Sequence, residues 1–269
     1  MRLLLLVFLI LTNFAIANTF GYDDRQAERR SKHTQLGAIG MLYNKQYKTA
    51  GTAFLVSKCY ILTNHHVGLP EGNKVSSKFF VGNFTKTKRG DSSTATPVMW
   101  GKFTKQDPSQ DWALLKLNKC LGKKYQYIKL KKLSYKKARK KGTRLRMSGQ
   151  PGTKRISRIW TDPNCAIKGK TKYSKEIWYH SCSSNKGSSG SPIYYIDGYN
   201  QYRAIALNMG HFIVDKKHQR YDNTVGKYSN RYANLAVPVK VFFNKITSIP
   251  EIKTAQTEKN RDYYLRRAQ

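Results

Sequence analysis

Nearly all the order in this chain is written as short β-branched and aromatic runs. Each is closed within a few residues by glycine, asparagine or proline, and long helix-period patterns are scarce. Runs this short cannot bury themselves and must pair with neighbours, so an all-β fold is predicted. The first set of strands is expected at Leu36–Leu42, Gly51–Val56, Tyr60–Thr63, Lys78–Val81, Val98–Phe103 and Ala113–Leu117. The second is expected at Arg144–Ser148, Ile156–Ile159, Glu176–His180, Pro192–Ile196, Tyr202–Asn208 and Leu235–Val237. Asp197-Gly198 supplies the turn between Ile193–Ile196 and Tyr202–Leu207, since both residues tolerate the positive φ of a tight hairpin. A basic stretch near residues 120–142 separates the two sets. The expected architecture is therefore two barrel-like halves, residues 36–125 and 126–250, the second closed by a short helix in Pro238–Ile246. Residues 251–269 are polar and charged with little to bury, and are expected as a charged tail.

The chain opens Met1-Arg2, runs apolar from Leu3 to Leu11, and reaches Ala15-Ile16-Ala17 before turning polar. A positive start, a short apolar core and an A-x-A site read as a signal peptide over residues 1–17. The apolar run is too short to span about 30 Å of hydrocarbon, and no later stretch is apolar enough to do so. Export is expected, with the mature protein secreted or periplasmic, monomeric, and residues 18–35 an N-terminal segment or propeptide. The four cysteines are Cys59, Cys120, Cys165 and Cys182. In an oxidising compartment that even count predicts two disulfides, with three pairings open. None of the cysteines has C-x-x-C spacing, which argues against a zinc site.

Fifty lysines and arginines against fifteen acidic residues give a net charge of +35. The densest run spans Lys123 to Arg146, with Tyr125, Tyr127 and Tyr135 interleaved. No nucleic-acid-binding motif accompanies it, so it reads as a solvated basic connector. A surface this basic attracts acidic substrates and anionic surfaces.

Three short segments carry chemistry. They are Leu62-Thr63-Asn64-His65-His66-Val67, Asp111-Trp112-Ala113-Leu114-Leu115 and Gly187-Ser188-Ser189-Gly190-Ser191-Pro192. A serine is a poor nucleophile until a base lies within hydrogen-bond reach. A neutral histidine is such a base near neutral pH, and a buried aspartate fixes its tautomer. The order histidine, aspartate, serine excludes the α/β-hydrolase arrangement, which puts serine first and needs G-x-S-x-G where position 191 is serine. A metal site at His65-His66 would need further ligands at sensible spacing, and adjacent histidines point in different directions.

The three segments resemble the chymotrypsin/trypsin superfamily, and most closely its secreted bacterial glutamyl-endopeptidase-like branch. The histidine segment is similar to L-T-x-x-H-[VC], the aspartate segment to D-x-A-L-L and the serine segment to G-[ND]-S-G-[SG]-P. Weaker matches are Asp23-Asp24-Arg25, Gly149-Gln150-Pro151-Gly152 and Asn234-Leu235-Ala236-Val237, so the similarity spans roughly residues 23–247. The resemblance implies two six-stranded antiparallel β-barrels with a short C-terminal helix. It implies His66 as base, Asp111 as its orienter, Ser189 as nucleophile, and the N–H groups of Gly187 and Ser189 as an oxyanion hole, with no cofactor.

This chain departs from the family in its pocket and before its nucleophile. Ser188 stands where members carry aspartate or asparagine. Asn208 stands where glutamate-specific members carry histidine, and Ser183 where trypsins carry aspartate. Ser183, Ser184 and Asn208 are expected to line a polar, uncharged substrate pocket. The expected disulfides are Cys59–Cys120, near the ends of first-half strands, and Cys165–Cys182, stapling the strand before the nucleophile loop. The expected function is a serine endopeptidase acting on protein or peptide substrates through an acyl-enzyme. The alternative is a catalytically weak or inactive protease-fold protein that binds polyanions through its basic surface.

Overall fold

A computed structural model describes residues 18–28, 35–81, 91–104, 106–152, 158–171, 176–210, 224–225, 227–230 and 233–258. The expected signal peptide, the first two residues of the expected strand Ile156–Ile159 and residues 259–269 lie outside the described residues.

The first half is a closed barrel. Its strands run in the order Ile39–Asn44, Thr49–Leu55, Tyr60–Thr63, Ala113–Leu117, Ser92–Trp100 and Ser77–Val81, which returns to Ile39–Asn44. Its interior is packed with apolar side chains, and Phe54, Ile61, Phe79, Leu114 and Leu115 are all buried. Adjacent Leu114 and Leu115 are both covered because the second half packs on the barrel's outer face. The second half is a curled sheet of nine strands. Its main path runs Ile167–Lys170, Trp178–His180, Asn234–Pro238, Tyr202–Gly210, Pro192–Ile196, Leu145–Gly149 and Trp160–Cys165. Gln26–Ala27 adds at one edge, and Lys129–Leu130 pairs in parallel with Tyr202–Gly210. Disulfides join Cys59 to Cys120 and Cys165 to Cys182.

One apolar core continues from the barrel interior into the second half, where Tyr194, Leu207, Val237 and Phe242 join Leu114, Leu115 and Trp112. The expected helix at Pro238–Ile246 is two short turns, Val239–Val241 and Phe243–Ile246, which bury Val239, Phe242 and Ile246.

The chain does not end in a tail at residue 251. A helix, Pro250–Thr257, starts with proline at its first turn and lays Ile252 and Ala255 against the first half. Glu251 accepts hydrogen bonds from the Ser57 hydroxyl at 2.8 Å and the Cys59 N–H at 2.9 Å. Gln256 accepts from the Leu130 N–H at 2.6 Å and donates to the Val56 carbonyl at 2.7 Å. Two polar side chains thus hold a helix whose apolar content is too small to announce it.

Candidate active site

Antiparallel pairing sets the first two partners. Thr63 lies opposite Ala113, so the residues just beyond Thr63 and just before Ala113 emerge side by side at one end of the barrel. Asn64 donates from its side chain to the Asp111 carbonyl at 2.9 Å and ties the two strand ends together. His65–Gly68 then make a single helical turn. The His66 N–H donates to Asp111 Oδ1 at 3.0 Å, and His66 Nδ1–H faces both carboxylate oxygens, at 2.8 and 3.0 Å. The Asp111 side chain is fully buried, whereas the His66 side chain keeps 30% of its surface. His65 turns away and packs against Phe103, ring centroids 5.7 Å apart. Neighbouring histidines thus have separate settings, and only His66 meets the carboxylate through its side chain.

Burial pushes the His66 imidazolium towards deprotonation, but the Asp111 charge and hydrogen bond outweigh it and hold the pKa above 6.5. His65 is lowered, chiefly by burial, with Asp111 opposing and His66 adding to the shift.

The third partner arrives on a loop docked onto the barrel. Gly187 and Gly190 take φ of +90° and +84°, values that side chains resist. A Cβ on Gly190 would lie 2.1 Å from the Thr52 carbonyl oxygen and 2.3 Å from the Thr63 hydroxyl, so the loop sits flush against two barrel strands. The Thr52 N–H donates to the Ser189 carbonyl at 2.8 Å, and the Thr52 hydroxyl to the Gly187 carbonyl at 2.9 Å. Across Gly51, the Ser189 carbonyl and the Val67 side chain flank the same backbone position, which brings the serine loop beside the histidine turn.

Among the described residues, the Ser189 hydroxyl has no hydrogen-bond partner and His66 Nε2 is likewise unbonded. Such contacts are often long in a free site and tighten around substrate. Neither the Gly187 nor the Ser189 N–H has an acceptor among the described residues. The Ser188 hydroxyl, one residue before Ser189, accepts from the Asn185 N–H at 3.3 Å.

Ser183, Ser184 and Asn208 are all buried behind the loop. The Ser183 N–H donates to Asp162 Oδ2 at 2.6 Å, and the Ser184 N–H to the Asn18 carbonyl at 2.9 Å. Burial raises the Asp162 pKa, against the pull of two backbone N–H donors. His180, Asp162 and Asn234 were not singled out as site residues in the sequence, yet they form the buried polar layer behind these serines. No motif marks His180 or Asp162, and Asn234 stands out only as the first residue of the weak match Asn234-Leu235-Ala236-Val237.

The chain matches the family description "Trypsin-like peptidase domain" over residues 51–199. Among solved structures it is similar to a Glu endopeptidase solved with MPD, at 17% identity and TM-score 0.58, covering 86% of this chain and 99% of that one. It is also similar to an inactivated protease paralogue of the scabies mite, at 14% identity and TM-score 0.61, covering 84% and 99%. No curated protein matches it in sequence. At these identities the structural likenesses establish the fold alone, whereas the family match spans more than half of the residues. This chain belongs to the trypsin-like peptidase domain family.

Proposed function

We propose that this protein is a secreted serine endopeptidase. The observation that carries the reading is the fully buried Asp111 carboxylate, which meets both the backbone N–H and Nδ1 of His66. That contact holds the proton on Nδ1 and leaves Nε2 to act as base. Ser189 Oγ attacks the scissile carbonyl carbon while its proton passes to His66 Nε2. The carbonyl oxygen becomes an oxyanion facing the N–H groups of Gly187 and Ser189. Collapse breaks the C–N bond, His66 returns the proton to the leaving amine, and the acyl group stays on Ser189. Water, deprotonated by His66, then releases the acid by the same path.

Cleavage after Ala17 would place the new amino group on Asn18. That nitrogen is seated against Asn234 Oδ1 at 2.7 Å, so a free amino group there keeps its acceptor.

The test compares wild-type protein with Ser189→Ala on a peptide library. The variant is expected to lose roughly 10⁴- to 10⁶-fold in kcat. Cleavage undiminished by the substitution contradicts the reading. The rival, a polyanion binder on a protease fold, rests on the +35 charge. It predicts little or no cleavage by either protein.

A further inference from the structure

Both N–H groups assigned to the oxyanion hole belong to peptide units whose carbonyl oxygens are anchored on the opposite side. A trans peptide is planar, with C=O and N–H pointing in opposite directions, so holding one end aims the other. The Lys186 carbonyl accepts from the Gly152 N–H at 2.5 Å, which aims the Gly187 N–H. The Ser188 carbonyl accepts from the Ser191 N–H at 3.0 Å and from the Asn208 side-chain amide at 2.8 Å, which aims the Ser189 N–H.

Asn208 is unusually well placed for that task. Its backbone N–H donates to the Ser191 carbonyl and its backbone carbonyl accepts from the Gly190 N–H, both at 2.9 Å. Its side chain is fully committed. The two Nδ2 hydrogens go to the Ser188 carbonyl and to the Ser184 hydroxyl at 3.0 Å, and Oδ1 faces His180 Nε2 at 3.1 Å. His180 is fully buried and its own state is dictated by backbone. The Cys182 N–H donates to Nδ1 at 3.2 Å, which puts the imidazole proton on Nε2, shared between Asn208 Oδ1 and the Leu235 carbonyl at 3.3 Å. A carbonyl at Ser188 and an N–H donor at His180 allow only one orientation of the amide.

Resting on the serine endopeptidase reading, we infer that Asn208, oriented by His180, is a positioning residue for the oxyanion donor at Ser189 and does not contact the substrate side chain. Its amide hydrogens are spent inside the protein, on the Ser188 carbonyl and the buried Ser184 hydroxyl, so neither is left for a substrate side chain. Fixing the donor before substrate arrives matters because a donor aimed in advance needs no reorganisation when charge develops on the carbonyl oxygen.

The experiment measures kcat, KM and residue preference for wild-type, Asn208→Ala, Asn208→Asp and His180→Gln on one peptide library. It also measures inhibition by a peptide aldehyde, whose adduct with Ser189 carries an oxyanion, and by the matching peptide amide. Loss of a full oxyanion donor costs about 10²- to 10³-fold in kcat. Asn208→Ala leaves the Ser191 N–H on the Ser188 carbonyl, so it is expected to lose less than that. Asn208→Asp places an oxygen against that carbonyl and is expected to lose more than Asn208→Ala. His180→Gln, which can still donate to Asn208, is expected to lose least. In each variant KM, residue preference and amide inhibition stay as in the wild type, while aldehyde inhibition weakens in step with kcat. A variant that alters residue preference or KM with kcat intact makes Asn208 a substrate contact and overturns the inference. So does an unchanged kcat in both Asn208→Ala and His180→Gln, the two milder variants. No cleavage by the wild type sinks the endopeptidase reading itself. Wild-type cleavage that vanishes in Ser189→Ala but persists in full in the Asn208 variants sinks only this inference.

Discussion

At the residue scale, His66 carries opposite consequences for stability and activity. Burial lowers its pKa, but the Asp111 charge and hydrogen bond raise it further, so the folded value lies above 6.5. A base with a raised folded pKa stabilises the fold most fully below its unfolded value and loses that contribution as pH climbs through the folded one. Catalysis needs the neutral imidazole, so activity moves the other way. The kcat/KM profile is expected to rise with pH with an acid-limb midpoint above 6.5, the ordinary histidine value. A midpoint below that value would show that burial, and not Asp111, controls the base. His66 was separable from His65 in the sequence because the motif counts three residues from Thr63. The pairing of Asn208 with His180 was not legible, since nothing along the chain relates two lone polar residues 28 positions apart.

At the element scale, three short, mostly apolar strands were readable to the residue. Tyr60–Thr63, Ala113–Leu117 and Pro192–Ile196 have their expected bounds. Trp160–Cys165 was missed because Asp162-Pro163-Asn164 reads as a turn. Proline is tolerated there because the pairing with Leu145–Gly149 shifts register around it, so its missing N–H interrupts no regular ladder. The helix Pro250–Thr257 was missed for a different reason. Its anchors are side-chain to backbone hydrogen bonds from Glu251 and Gln256, which hydropathy does not register. Ile252 is its one fully buried large side chain. Ile252→Ala is expected to destabilise the protein by about 2–5 kcal/mol in chemical denaturation, as large-to-small core changes do. A loss under about 1 kcal/mol would mean the helix is held by its polar contacts alone.

At the scale of the whole molecule, the two halves do different work. The closed barrel supplies His66 and Asp111, the curled sheet supplies the loop that carries Ser189, and Thr52 joins them with three hydrogen bonds: to Gly187, Ser189 and, as acceptor, Gln150. The +35 charge is expected to act through encounter. Cleavage of acidic peptides is therefore expected to slow as salt rises from about 0.05 to 0.5 M, where the Debye length shrinks to a few ångströms. Cleavage of a neutral peptide is expected to change little over the same range. Equal salt dependence for both would remove the electrostatic role. The central claim is that His66 and Asp111 activate Ser189, and a fluorophosphonate probe tests it most directly because it reacts with activated serines. Mass spectrometry of the folded, processed protein is expected to find the adduct on the peptide containing Ser189. The adduct should disappear in Ser189→Ala and after denaturation. An unlabelled Ser189 in folded protein, or an adduct on another serine, would contradict the account.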